Sequence, residues 1–167
     1  IFFLDIGTGS GCIILSLLSE LRFSYGIGLD ISKKAIDLAL INSENQKLKN
    51  KSRFYKRSLN NIYGYKFDLI VSNPPYICNH QLKNLPRDIK RYEPKLALDG
   101  GNDGLDVIKK VIYKAKSILK KNGMLALEIG NGQHRSVSQI LKRNGFRNKF
   151  LLKDYQNNIR CILSFLE

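Results

Sequence analysis

Residues 1–18 constrain the fold more tightly than any other stretch. Ile1-Phe2-Phe3-Leu4-Asp5-Ile6 is a short, mostly apolar run that reads as a buried strand. It leads directly into Gly7-Thr8-Gly9-Ser10-Gly11. Cys12-Ile13-Ile14-Leu15-Ser16-Leu17-Leu18 follows, apolar on most faces, and reads as a helix. Strand, glycine turn and helix make the first half of a nucleotide-type crossover. The glycines let the backbone turn tightly and approach a ligand, and the helix start offers free N–H groups. The turn is GxGxG, not the GxGxxG of a dinucleotide site, which argues against a dehydrogenase. A second strand, Tyr25–Asp30, ends in an acid 19 positions after Gly11. A carboxylate there can accept from both hydroxyls of a ribose, so the pair points to an adenosine-type ligand. The plain alternative for Asp30 is a helix-capping acid. Asp5 is either a satisfied polar group at a strand end or a group that steers the loop and attracts a cationic ligand.

The rest of the chain continues the alternation. A helix is expected over 33–47, a weak third strand over 53–57 and a fourth over 67–72. Residues 77–104 form a long polar connection, of a length that is usually functional. A helix over 105–119, a fifth strand over 123–129 and a helix over 133–143, closed by Asn144-Gly145, come next. Two last strands, 146–152 and 160–165, are joined by a short polar turn at 154–158 and form a hairpin. The expected fold is therefore α/β: a seven-stranded, mostly parallel, doubly wound sheet with a C-terminal antiparallel hairpin. Ligands of such sheets sit at the carboxyl ends of the strands. The Gly7 turn, Asp30 and Asn73 all fall there.

The fourth strand runs into Asn73-Pro74-Pro75-Tyr76. The prolines end the strand and remove two N–H donors, and Pro75 biases Pro74 toward an extended backbone. The segment thus offers acceptors: the Asn73 side-chain oxygen and the Pro74 carbonyl. Two acceptors beside a flat ring suit a planar NH2 group, one hydrogen to each oxygen. Such a site is built to help a planar nitrogen attack an electrophile. The bland reading is a strand-to-loop turn.

Composition bounds the partners. The 167 residues carry a formal charge of +14, with basic clusters at Lys47–Arg57, Lys83–Lys95 and Lys109–Lys121. An anionic neighbour such as nucleic acid, or simply solvated lysine-rich helix faces, accounts for them. No apolar run is long enough to span a bilayer, so no membrane partner is expected. Cys12, Cys78 and Cys161 lie far apart and read as free thiols of a reducing, cytoplasmic compartment. With His80 and His134 also scattered, no metal site is expected. The chain opens on a strand without Met, as a domain from a longer protein would.

These residues resemble the class I, Rossmann-like S-adenosylmethionine-dependent methyltransferases. Leu4 to Gly11 looks like their first motif, Asp30 like their ribose-binding acid. Asn73-Pro74-Pro75-Tyr76 narrows the resemblance to the amino methyltransferases. A further block, Tyr92 to Leu105, is similar to the HemK/PrmC family, as are Leu127-Glu128-Ile129-Gly130 with Gln133, and Lys153-Asp154 with Arg160. The resemblance implies an N5-glutamine methyltransferase of peptide chain release factors, acting on their Gly-Gly-Gln loop, with S-adenosylmethionine as cofactor. It implies catalytic roles for Asn73, Pro74, Pro75 and Tyr76. It implies cofactor contacts from Asp5, Gly7, Thr8, Gly9, Gly11, Asp30 and Asn73. Two departures stand out. The family's N-terminal helical domain, which helps grip the release factor, is missing. The acid that many members carry after the third strand is replaced by Arg57-Ser58-Leu59-Asn60-Asn61. Ser58 or Asn60 is left to substitute, and Ser58 joins the cofactor set.

Within that resemblance Asn73 and the Pro74 carbonyl hold the glutamine amide, and Tyr76 packs on it. Glu128 is a polar group near the site or a cap for the next helix. Glu93 and Gly100-Gly101 line the acceptor channel or order the long loop. Two rivals remain at this level. One is an adenine-N6 methyltransferase on DNA or RNA, which suits the charge. The other is a binding module that keeps the fold without transfer.

Overall fold

The structure is a computed structural model and describes residues 1–86, 88 and 94–167. Seven strands form one sheet: β1 (Phe2–Ile6), β2 (Tyr25–Asp30), β3 (Ser52–Lys56), β4 (Phe67–Ser72), β5 (Leu119–Glu128), β6 (Phe146–Lys153) and β7 (Ile159–Leu166). Their order is β3-β2-β1-β4-β5-β7-β6. The first five are parallel, β7 runs antiparallel to β5, and β6 pairs antiparallel with β7. The expected sheet and hairpin are both present.

The helices are α1 (Cys12–Glu20), α2 (Lys33–Asn45), a single turn α3 (Asn79–Leu82), α4 (Asp106–Ile118) and α5 (His134–Arg143). Side-chain alternation along the buried strands splits the core in two. Phe3, Phe54, Leu69 and Val71 pack with α1 and α2 on one face. Leu4, Ile27, Ile70 and Leu125 pack with α4 and α5 on the other. At the usual value of about 25 cal/mol per Å2, each fully buried Leu, Ile or Phe contributes about 2 kcal/mol. The two-sided sheet is therefore what holds the site's strand ends in register.

Two local features differ from the sequence expectation, and a third departs from regular strand–helix alternation. β5 starts at Leu119 directly after α4, because Phe67 pairs with Leu119 and Leu69 with Met124. The residues between make an excursion through Asn122 at φ +61°. The sequence expectation ends the helix at 119 and begins the strand only at 123. The 77–104 connection is also more ordered than a plain loop: it carries α3 and a 3-10 turn at Lys95–Ala97, and Ile77 bridges in parallel to Asp99. Finally, β3 and β4 are joined without an α-helix, through a 3-10 turn at Leu59–Asn61. The close of α5 matches expectation, with Gly145 at φ +84°.

Candidate active site

β1 and β4 are adjacent, and the chain leaves them toward opposite sides of the sheet, so their carboxyl ends open a crevice. Register pairs Ile6 with Ser72, which makes Gly7 and Asn73 the next residues on neighbouring strands. The Ser72 hydroxyl ties the two ends by donating to the Ile6 carbonyl at 2.8 Å. The glycine turn and the proline segment therefore begin side by side.

The turn is shaped by its own glycines. Gly7, Gly9 and Gly11 sit at φ +74°, +56° and +83°, a region that L side chains resist. The Gly7 and Thr8 amides both donate to Leu29 O, pinning the turn to β2. A Cβ on Gly7 or Gly9 would meet nothing within 4 Å, so open space lies against this backbone. Gly11 instead packs closely on Leu15 and Ala39, which seats α1 against α2. Asp30 closes the rim. Its carboxylate accepts from Gly9 N at 3.0 Å and from Ser32 N at 2.8 Å. The cap of α2 is Ser32, not Asp30, since the Ser32 hydroxyl accepts from Ala35 N.

Asp5 lies beneath the turn, 1% exposed. Thr8 donates its hydroxyl to Asp5 Oδ2 at 2.8 Å. The other oxygen, Oδ1, is buried without a hydrogen-bond partner. Burial pushes this carboxyl up to about 6, against the Thr8 bond and the nearby Ile14 N–H, which lower it. An acid with one unsatisfied buried oxygen is expensive unless something cationic or donating lies near.

Asn73 is exposed, Pro74 buried, and Pro75 and Tyr76 half-buried. With Ile77, Ala97 and Leu98 they line a cavity of about 290 Å3. Tyr76 is held from three sides. The Arg160 guanidinium donates to the Tyr76 hydroxyl at 2.8 Å and lies 5.2 Å from the ring centroid. The hydroxyl faces Glu128 Oε1 at 3.3 Å, and Arg160 reaches the same oxygen at 3.5 Å. Gln133 locks the main chain: Nε2 donates to Tyr76 O at 3.1 Å and Gly104 O at 3.3 Å, while Oε1 accepts from Gly130 N at 2.8 Å. Glu128 thus faces Tyr76 and does not cap α5, whose cap position is Gln133.

The glycines of the long connection have a packing reason. A Cβ on Gly100 would lie 2.8 Å from the Tyr76 backbone, and one on Gly104 2.4 Å from Tyr76 O. Gly130 closes the cage, since a Cβ there would lie 3.1 Å from the Tyr76 ring. Gly100 N donates to Ile77 O and Asn79 N to Gly101 O, so this loop is laced onto the segment after Tyr76. Gly100 and Gly101 order the loop; Tyr92 and Glu93 lie outside the described residues. Ser58 is exposed, and its hydroxyl accepts from Asn60 N at the start of the 3-10 turn. The side chains of Gln133 and Arg160 acquire roles that the sequence chemistry alone did not supply. Their only signal was the similarity of their surroundings to one family.

The methyltransferase domain family matches residues 2–144. The release factor glutamine methyltransferase of Fusobacterium nucleatum is 42% identical over 166 residues, which cover 96% of this chain and 46% of that protein. The chain spans about half the length of the curated relatives it matches. Among solved structures, a ribosomal protein L11 methylase from Lactobacillus delbrueckii subsp. bulgaricus aligns with TM-score 0.71 at 20% identity, covering 98% of this chain and 68% of that one. A magnesium protoporphyrin IX methyltransferase from Synechocystis, with bound SAM, aligns with TM-score 0.67 at 17% identity, covering 99% and 69%. These likenesses show the fold. S-adenosylmethionine is the cofactor this domain implies, and the residues present fit it. The glycine turn leaves room for a ligand, Asp30 stands at the rim, and Asp5 keeps an unsatisfied acidic oxygen. From β1 to β5 and on through α5, sequence and strand order agree: the chain belongs to the methyltransferase domain family.

Proposed function

We propose that the protein transfers a methyl group from S-adenosylmethionine to the side-chain amide nitrogen of the glutamine in the Gly-Gly-Gln motif of peptide chain release factors. The observation that carries the reading is the cavity bordered by Asn73, Pro74 and Tyr76, together with the pairing of Ile6 with Ser72, which starts the glycine turn and Asn73 side by side. The names of the relatives support the acceptor.

In this reading Gly7, Thr8, Gly9 and Gly11 receive the cofactor against bare backbone, and Asp30 takes its ribose hydroxyls. Ser58 stands where a contact to the base is expected. When bound, S-adenosylmethionine supplies a sulfonium-activated methyl, so the thioether leaves with the C–S electron pair and the acceptor nitrogen sheds one proton. The chain's own work is positioning. The Asn73 side-chain oxygen and the Pro74 carbonyl accept the two amide hydrogens. That pull returns electron density to a nitrogen whose lone pair is otherwise delocalised. Tyr76 fixes the amide plane, with its ring orientation set by Arg160 and Glu128. No strong general base is required, because the proton leaves an already methylated, acidic nitrogen. Ala97 and Leu98 of the long connection line the cavity that would receive the amide.

Labelled-methyl transfer to a release factor, wild type against its Gln-to-Ala variant, tests the proposal. Label on wild type alone supports it. Label on adenine-containing nucleic acid, with none on either release factor, overturns it in favour of the adenine-N6 reading.

A further inference from the structure

The β3 edge is built differently from the rest of the sheet. A parallel crossover ordinarily lays a helix over the strands it connects. Residues 57–66 lay only a 3-10 turn there. Ile62 packs on Ile27 and Leu29 and closes the core, but the outer part of that face stays open. Arg53, Tyr55 and Arg57 are alternate residues on it, all exposed. Tyr55, Arg57 and Tyr65 rim one small hollow above Leu29 and Phe67. Tyr63 and Tyr65 are 73% and 42% exposed, Tyr55 38%.

Charge is segregated on the same stretch. Between Glu44 and Asp68 the sequence has seven Lys and Arg and no acid. Some surface lysines pair with carboxylates, as Lys109 does with Asp103, Lys120 with Asp68 and, within this stretch, Lys49 with Glu44. Arg53, Arg57 and Lys114 have no carboxylate partner among the described residues. Their cations lie against rings instead: Arg53 5.9 Å from Tyr25, Arg57 5.3 Å from Tyr55, Lys114 4.6 Å from Tyr63. Arg53 commits Nη1 to the Lys49 and Ser52 carbonyls, and its remaining nitrogens keep donors for phosphate; both guanidiniums offer a flat face for stacking.

An acidic protein would answer the charge but leave the row of rings unused, and a duplex has no free base faces to offer them. A single strand answers both, phosphates to the cations and bases to the rings. The tyrosine hydroxyls and the exposed Asn61 amide add neutral partners for a ribose 2′-hydroxyl, which DNA lacks. We propose that this uncovered β3 face, with Tyr55, Tyr63 and Tyr65 flanked by Arg53, Arg57 and Lys114, binds single-stranded RNA. The surface adjoins the cofactor side of the site at Arg57, whose amide donates to Asp30 O at 2.9 Å, but shares no residue with the acceptor cavity, so the inference does not depend on the acceptor assigned above.

Fluorescence anisotropy of the full chain with a labelled oligouridylate of about 12 nucleotides tests it. Three phosphate contacts predict a salt slope of about −2, or roughly fifteenfold weaker binding at about 200 mM than at about 50 mM salt. Tyr55→Ala is expected to lose about tenfold, and Tyr55→Phe to stay within about twofold. Tyr63→Ala repeats the test at a ring outside the sheet. Arg53→Glu/Arg57→Glu is expected to lose at least about thirtyfold. Lys142→Glu/Arg143→Glu, the same charge change on α5 toward the opposite edge of the sheet, is expected to lose less than about threefold. Thermal melts confirm that each variant is folded. No binding at low salt overturns the proposal. So do equal losses from the two double reversals with Tyr55→Ala and Tyr63→Ala unaffected, which would leave bulk charge alone. Competition by polyglutamate as effective as by RNA would point to an acidic protein, and tighter binding of the matching DNA strand would also refute it.

Discussion

The glycine turn after β1 and the proline segment after β4 start at the same level of the sheet, yet they are held in opposite ways. The turn is shaped by residues close in sequence: its own positive-φ glycines, Thr8 on Asp5, and Asp30 across one crossover. Its inner surface is backbone facing open space. The proline segment is shaped from far away. Glu128, Gln133 and Arg160, 52 to 84 positions beyond Tyr76, fix its ring and carbonyl. Its neighbours fill all the room a Cβ would need at Gly100 and Gly104. In the proposed reading the cofactor is met by generic backbone, and the acceptor, which must be aimed, is met by a caged ring. The comparison predicts that damage on the β1 side appears mainly as cofactor affinity, and damage on the β4 side mainly as turnover.

The largest effect should come from Asn73. In the proposed reading Asn73→Ala removes one of the two acceptors for the reacting amide. It is expected to lower kcat by about a thousandfold while cofactor affinity changes less than about threefold. Titration calorimetry with the cofactor and single-turnover transfer separate the two readouts. Equal losses in both would erase the distinction drawn between the two sides.

Glycine substitutions probe the same contrast sterically. Gly104→Ala places a Cβ 2.4 Å from Tyr76 O, at φ +74°, with backbone that cannot yield. A loss of about a hundredfold in kcat and about 3 kcal/mol in stability is expected. Gly9→Ala meets no atom and bears only the left-handed strain, about 1 kcal/mol. Its cost should fall on cofactor affinity, because the new methyl enters the open space.

How much of this was legible follows the same division. The strand, glycine turn and helix of residues 2–20, the acid at Asp30 and the stop at Pro74-Pro75 are local stereochemistry, and the elements appear where periodicity and turn residues place them. The excursion at 120–123 was not legible, since Asn122-Gly123 carries the chemistry of an ordinary turn. The side chains around Tyr76 were not legible either. Nothing in the composition of Gln133 or Arg160 says which strand end it faces; only the folded sheet brings Arg160 of β7, two strands over, and Gln133 at the start of α5 to the segment that follows β4. Gly100 and Gly104 read as loop glycines, and their steric role appears only with Tyr76 packed against them.

Asp5 gives a pH test of the β1 side. Its folded value, about 6, lies above the ordinary 3.8. Between these values the unfolded chain has already released the proton that the folded chain still holds. Stability from this group is therefore present below about 4 and is lost as pH rises toward 6. Full loss corresponds to about 2 to 3 kcal/mol. Asp5→Asn removes the dependence. Without cofactor it should melt above wild type at neutral pH, with the gap closing on acidification. Cofactor affinity of wild type should rise through the same window as the carboxylate forms, and that of Asp5→Asn should stay flat. A wild-type melting curve parallel to that of Asp5→Asn from pH 4 to 7 would remove Asp5 from the account.

The smallest effect tests whether Arg160 acts through the Tyr76 ring. Arg160→Ala deletes the 2.8 Å bond to the hydroxyl and the cation beside the ring, leaving Glu128 alone to orient it. One charge-assisted hydrogen bond and a partly exposed cation–ring contact together supply about 1.5 to 2 kcal/mol, so kcat should fall about ten- to thirtyfold with cofactor affinity unchanged. Tyr76→Phe removes the hydroxyl while keeping the flat surface, and costs less. If Arg160 works by orienting that ring through its hydroxyl, the two losses overlap: in the Tyr76→Phe background, Arg160→Ala should cost only about threefold, through the remaining ring contact. If instead Arg160 supports the hairpin turn through Asp154, 4.0 Å away, the losses add fully and the melting temperature drops with them. Rescue separates the cases further. Arg160→Lys restores a point charge near Asp154 but not the planar fork between Tyr76 and Glu128, so it should recover stability without recovering turnover.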